Sequence, residues 1–113
     1  MTASAMTSSA AAPRFHFELI RSTPANAVTL KAAPAKLQLW FTQVPARGVS
    51  RLTLMRGDAD IALTTTSIVA ESKSMFAEPR APLAPGAYTI VWRGAGDDGH
   101  VQNGTISFAI ADR

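Results

Sequence analysis

The sequence contains no cysteine, which excludes disulfide bonds, iron–sulfur clusters, thiolate zinc sites and cysteine nucleophiles. It contains no apolar run that approaches the roughly 18 residues needed to span a bilayer, so we predict no membrane span. Basic residues are not clustered with aromatics, so we also predict no nucleic-acid partner despite the net charge of +3. Phosphate-loop and Gly-x-Ser-x-Gly patterns are absent, which argues against nucleotide-binding and serine-hydrolase chemistry.

The length of 113 residues fits one domain that can bury a core without covalent cross-links. Residues 1–15 are rich in Ala, Ser and Thr, but they lack the charged start and apolar stretch of an intact secretory signal. Three origins fit them: a native leader, the remnant of a trimmed export signal, or a vector-derived scar, of which we favour the last two. In each case we expect a flexible leader followed by a single domain over residues 16–113.

Alternating apolar and polar residues dominate the chain after residue 15. Such period-two patterns are typical of half-buried β-strands, whereas no segment shows an amphipathic helical stripe. The apolar members of the clearest runs, which we predict to face the core, are Leu37, Leu39 and Phe41; Leu52 and Leu54; Tyr88, Ile90 and Trp92; and Ile106, Phe108 and Ile110.

Turn residues separate these runs every 8–15 positions, which favours an all-β antiparallel sandwich or barrel. We predict about seven strands, and the segment between residues 60 and 77 is the least regular. The candidate segments number eight, one more than the predicted count: 16–22, 27–31, 36–41, 50–56, either 60–65 or 67–71, 74–77, 86–93 and 104–111.

The clearest candidate for a metal site is the Asp-Asp-Gly-His segment at residues 97–100. Asp98 and His100 are two positions apart and project to one side of an extended backbone, where they can act as a ligand pair. Imidazole nitrogen suits copper, nickel or zinc, and a square-planar set of nitrogen and oxygen ligands suits Cu(II). Two ligands are too few, and His16 is the remaining histidine that can supply a third.

A simpler interpretation of the same segment is structural. Asp-Gly is a common turn signal, so His100 can be a solvated neighbour of a turn, and a lone His16 between two phenylalanines can be an ordinary strand residue. Arg93, just before this glycine-rich stretch, is a candidate to brace Asp98 or another carboxylate.

Several segments in order resemble the CopC family of periplasmic copper-resistance proteins. Residues 16–25 are similar to the family's start, with His, Leu three positions on, and Ser-x-Pro; residues 34–41 are similar to its second strand. The most specific part is the end, where Leu-x-Pro-Gly-x-Tyr over 83–88 is followed by Trp-Arg at 92–93, Asp-Gly-His at 98–100 and a Gly-to-Phe stretch over 104–108. The order and spacing together carry the resemblance over residues 16–110.

The resemblance implies a seven-stranded, immunoglobulin-like Greek-key β-sandwich or barrel, export to the periplasm, and copper handling without catalysis. It places one Cu(II) ion on His16, Asp98 and His100, the same three residues that the ligand argument selects. The implied role is a Cu(II) carrier or chaperone in copper resistance or homeostasis. It is expected to be a monomer that exchanges copper with a membrane importer or another periplasmic carrier.

This chain departs from the family at the N-terminal ligand. The family's first histidine is the mature N-terminus, whose amine and Nδ1 chelate Cu(II), whereas His16 here follows Phe15 and has an ordinary amide. The alternative is therefore a copper-free CopC-like interaction module. An oxidative copper enzyme is a third hypothesis, which the blocked amine disfavours. The scattered Met6, Met55 and Met75 predict no methionine-rich Cu(I) site.

Overall fold

The computed structural model describes residues 16–112. The regular secondary structure within them consists of β-strands and one short 3-10 turn. The predicted leader and the last residue lie outside the described part of the chain. None of the helical structure within it is long and apolar enough to cross a membrane. The elements are β1 (Leu19–Thr23), β2 (Val28–Leu30), β3 (Leu37–Phe41), β4 (Arg51–Arg56), β5 (Ala59–Ile61), β6 (Ser67–Val69), a 3-10 turn (Ala70–Ser72), β7 (Ser74–Ala77), β8 (Gly86–Gly94) and β9 (Gln102–Ile110).

The strands form two sheets that pack face to face. One sheet has four strands in the order β1-β3-β7-β6, and the other has five in the order β2-β9-β8-β4-β5. All pairings are antiparallel except that of β2 with β9. Consecutive strands such as β1 and β2 lie in different sheets, an arrangement consistent with a Greek-key sandwich. The predicted all-β sandwich class is therefore confirmed.

The predicted alternation places one side of each long strand in the core between the sheets. The apolar residues singled out in the sequence are all buried, and Trp92, for example, is only 6% exposed. Phe17, which immediately follows His16, is fully buried and stacks on Phe41 with ring centroids 4.5 Å apart. Trp92 lies edge-on to both rings, so three aromatic side chains fill one end of the core.

The predicted count of seven strands is wrong, because the described residues contain nine. The segment predicted to hold one strand, at 60–65 or at 67–71, holds two, β5 and β6. Each has only three residues, which is too short to display an alternating pattern. They are strands because they pair with the longer β4 and β7 at the sheet edges.

One end of the sandwich gathers the segments that bear the candidate ligands. At this end β1 begins, β3 and β8 finish, and the loops 42–50 and 95–101 lead into β4 and β9. The two loops are joined by backbone and side-chain hydrogen bonds: the Ala46 N–H donates to the Ala95 carbonyl at 2.8 Å, and the Ala95 N–H donates to Ser50 Oγ at 3.4 Å. The fold therefore places residue 16 and residues 97–100 at the same end of the domain.

Candidate metal centre

Asp98 and His100 lie together in the loop between β8 and β9. The His100 N–H donates to Asp98 Oδ1 at 3.0 Å, and His100 Nδ1 lies 3.4 Å from Asp98 Oδ2. A turn brings them together, rather than the extended backbone assumed in the sequence argument. Gly99 adopts a φ of +77°, in the left-handed region that favours glycine, and its N–H donates to the Gly96 carbonyl at 3.1 Å. The structural interpretation of the Asp-Gly pair as a turn is thus correct, and the turn also forms the predicted carboxylate–imidazole pair.

Both side chains of this pair can be reached from solvent. The His100 side chain is 85% exposed, and that of Asp98 is 35% exposed. The carboxylate lies beside Nδ1, so Nε2 is the ring nitrogen not engaged by Asp98. A metal-binding histidine commonly has its second nitrogen oriented by a carboxylate. This geometry therefore suits an ion held by His100 Nε2, and a rotation of the exposed side chains would let Asp98 also act as a ligand.

The backbone of His16 is attached to the end of β3 by the side chain of Thr42. The Thr42 hydroxyl donates to the His16 carbonyl at 2.6 Å, and the same Oγ1 accepts the Glu18 N–H at 3.0 Å. The Thr42 N–H donates in turn to the Glu18 carbonyl at 2.9 Å. These bonds hold residues 16–18 at the start of β1, while the His16 side chain itself is exposed.

Gln43 holds the second ligand-bearing segment. Its Oε1 accepts the backbone N–H of Asp97 at 2.8 Å. Thr42 and Gln43 are adjacent, so one dipeptide contacts the backbone on both sides of the candidate site. We refer to Thr42 and Gln43 as the clamp. Neither residue could be found from the sequence, because their partners lie 26 and 54 positions away along the chain.

Two glycines let Phe17 approach the β8–β9 loop closely. A Cβ on Gly94 would lie 2.8 Å from Phe17 Cε2, and a Cβ on Gly96 would lie 3.1 Å from Phe17 Cδ1 and collide with Gln43 Oε1. A side chain at either position would therefore push Phe17 or the clamp away. This packing therefore requires glycine at both positions.

The structure brings together two of the three predicted ligands. Within residues 16–112, no group of three or more His, Cys, Asp or Glu side chains is arranged to hold a metal ion. Asp98 and His100 are paired, and His16 is held nearby through its backbone but is not grouped with them. The three-residue copper site remains a prediction.

Arg93 does not brace Asp98, contrary to our suggestion. Among the described residues, the ion pair involving Asp98 is formed with His100. Arg93 lies instead on the outer face of the five-stranded sheet, opposite Arg51 on β4. The alternation along β8 puts Trp92 in the core and therefore turns its neighbour Arg93 outward.

The two methionines of the described residues do not lie together. Met75 is fully buried in the core, whereas Met55 is half-buried on the outer side of β4. Met6 lies outside the described residues. The absence of a Cu(I) site remains a prediction.

Comparison with known proteins identifies the family of this two-sheet β-sandwich. The CopC domain model matches residues 19–111, which is most of the chain. The protein therefore belongs to the CopC family, as the sequence motifs predicted.

Two curated relatives support this assignment. The chain is 30% identical over 102 residues to Copper resistance protein C of Xanthomonas campestris pv. juglandis, covering 84% of this chain and 80% of that protein. It is 34% identical over 103 residues to Copper resistance protein C of Escherichia coli, covering 84% and 81% respectively. Both relatives are copper resistance proteins, and the match covers most of the length of each.

Solved structures agree with the fold. PcoC, a methionine-rich copper resistance protein from Escherichia coli, superposes with a TM-score of 0.73 at 32% identity, covering 84% of this chain and 98% of PcoC. CopC from Methylosinus trichosporium OB3b superposes with a TM-score of 0.77 at 19% identity, covering 85% and 94%. At that lower identity the second comparison supports the fold alone.

Proposed function

We propose that this protein is a periplasmic Cu(II) carrier or chaperone that acts in copper resistance or homeostasis. The observation that carries the proposal is the exposed Asp98–His100 pair on a loop whose backbone the clamp holds beside that of His16. Copper is the cargo, and its predicted ligands are His16, Asp98 and His100. The naming of two relatives as copper resistance proteins supports a role in copper resistance.

The chemistry of these three side chains suits Cu(II). Two imidazole nitrogens and one carboxylate oxygen match the nitrogen and oxygen ligands that Cu(II) accepts in a tetragonal plane, with water completing it. A carrier must load and release its ion, and the exposure of both histidines permits exchange with solvent or a partner. Because copper binds neutral imidazole, protons compete with the metal for these two ligands.

No catalytic step is needed for this role, and we propose that the protein is not an enzyme. The copper would pass to or from a membrane importer or another periplasmic carrier. The alternative is a copper-free interaction module of the same fold. One observation favours it: within the described residues, His16 is not grouped with Asp98 and His100.

A Cu(II) titration of single variants tests the proposal. His100→Ala, His16→Ala and Asp98→Asn should each lower the Cu(II) affinity by about tenfold or more, since a lost ligand worth only about 1.4 kcal/mol has that effect. Asp97→Asn is the matched control, because it removes the neighbouring exposed carboxylate and should leave the affinity within about twofold. Electron paramagnetic resonance should show one tetragonal copper with nitrogen and oxygen ligands. If the unmodified protein binds no Cu(II), the copper-free module becomes the function.

The clamp provides a second, independent prediction. Gln43→Ala removes the acceptor of the Asp97 N–H, so amide hydrogen exchange at Asp97 should accelerate and the Cu(II) affinity should fall by up to about tenfold. Gln43→Glu keeps an acceptor oxygen at the same reach and should restore most of the protection. Unchanged exchange at Asp97 in the alanine variant would show that Gln43 does not position this loop.

A further inference from the structure

Two arginines face each other on the outer surface of the five-stranded sheet. Arg51 opens β4 and lies directly opposite Arg93 on β8. Both side chains are exposed. Within residues 16–112, neither guanidinium takes part in an ion pair or a side-chain hydrogen bond. Like charges directly opposite each other destabilise an antiparallel pair, so this juxtaposition carries a cost that the fold does not offset locally.

The outward side chains of the strands that carry or adjoin these arginines are otherwise uncharged. Alternation places eleven side chains of β4, β8 and β9 on the outer face, and Arg51 and Arg93 are the charged ones among them. The outward carboxylate of this sheet is Asp60 on the edge strand β5, which lies opposite Met55 and lines a concave space together with Arg51, but forms no ion pair with it. The remaining outward residues of the three strands are Thr53, Met55, Ala87, Thr89, Val91, Asn103, Thr105, Ser107 and Ala109.

The arginine pair also borders two concave spaces. One, of about 260 Å³, is lined by Gly48, Val49 and the two arginines. A smaller one, of about 100 Å³, is lined by the arginines together with Thr53, Val91 and Asn103 among others. Carboxylates fit such clefts, because a guanidinium presents paired N–H donors that match the two carboxylate oxygens.

The arginine pair lies at the end of the sandwich that carries the candidate copper loop. Arg93 is the last residue but one of β8, immediately before the segment that leads to Asp98. Arg51 follows Ser50, whose hydroxyl accepts the Ala95 N–H at the base of that loop. A protein bound to the arginine pair would therefore lie next to Asp98 and His100.

We propose that Arg51 and Arg93 form a docking surface for an acidic segment of a protein partner, whose carboxylates pair with the two guanidiniums. The relevance of such a partner to copper transfer rests on the proposed function, whereas the docking surface itself does not. In the absence of copper, the protein and its His100→Ala variant should bind the partner segment equally well. Failure of copper binding and failure of docking can therefore be told apart.

A hexaglutamate peptide is a suitable probe, followed by amide chemical shifts in nuclear magnetic resonance at low ionic strength. Shifts should concentrate at Arg51, Arg93 and their outward neighbours on β4, β8 and β9. Arg51→Gln combined with Arg93→Gln should weaken binding about fivefold or more. Lys31→Gln combined with Lys36→Gln is the matched control, since it removes the same charge at the opposite end of the sandwich, where β2 ends and β3 begins. The control should change the affinity by less than about twofold.

Three outcomes would overturn the proposal. Equal weakening in both double variants would show that only net charge attracts the peptide. Shifts of the same size with inorganic phosphate at equal charge concentration would indicate a small-anion site. Tighter binding to vesicles containing anionic lipid, lost in the arginine variant, would indicate a membrane surface as the partner.

Discussion

Removal of residues 1–15 should raise the Cu(II) affinity of this protein about tenfold or more. The shortened chain begins at His16, whose amine is then a second nitrogen donor close to its imidazole, and a gain of only about 1.4 kcal/mol from this chelate produces that change. The described fold begins at residue 16, and the Thr42 hydroxyl donates a hydrogen bond to the His16 carbonyl. The new amine would therefore belong to a residue whose backbone is already held in place. Isothermal titration of both chains with Cu(II) measures the difference.

The control for this experiment is the shortened chain with its terminal amine acetylated. It has the same sequence from His16 onward but cannot use the amine as a ligand, so its affinity should return to that of the full chain. If acetylation leaves the affinity unchanged, the amine is not a ligand and the gain has another origin. If all three proteins bind equally, the side chains alone form the site.

Phe17→Ala should lower the free energy of unfolding by about 3–5 kcal/mol, the usual range for truncating a buried aromatic ring. The Phe17 side chain is 0% exposed, and its ring stacks on that of Phe41 with centroids 4.5 Å apart. It also packs against Gly94 and Gly96, so its loss should loosen the approach of residue 16 to the β8–β9 loop. Urea denaturation measures the stability, and the Cu(II) affinity of the folded variant should also fall.

Phe76→Ala is the matched control for this substitution. Phe76 is half-buried on β7, where the Lys36 ammonium lies 4.8 Å from its ring centroid, and it does not belong to the buried core. Its truncation should cost clearly less stability and leave the Cu(II) affinity unchanged. Equal losses of stability in the two variants would contradict the role assigned to Phe17 in the core.

The strands that could be predicted are those whose pattern is local. Leu37, Leu39 and Phe41 alternate with polar neighbours and are all buried, because the side-chain period of two is a property of each strand by itself. One strand was predicted in the region of β5 and β6, but that both form could not be predicted, because three residues are too few for a clear pattern and pairing with β4 and β7 decides their conformation.

The candidate site also contains a part that could be predicted from the sequence and a part that could not. Asp98 and His100 could be paired from the sequence because only Gly99 separates them, although a turn rather than an extended backbone joins them. Their proximity to the His16 backbone depends on Thr42 and Gln43, whose partners are distant in sequence. Neither residue type signals this role, since threonine and glutamine form hydrogen bonds in many settings.

The sequence by itself determined the properties that depend on composition or on neighbouring residues: the lack of thiol chemistry, the strand alternation and the Asp-Gly-His turn. Only the tertiary structure decided which strands are neighbours, and with them the clamp and the opposition of Arg51 to Arg93. The physical reason is that turns and alternation arise from the backbone of a few consecutive residues. Strand register, in contrast, is set by the packing of the whole core, which brings together residues far apart in the chain.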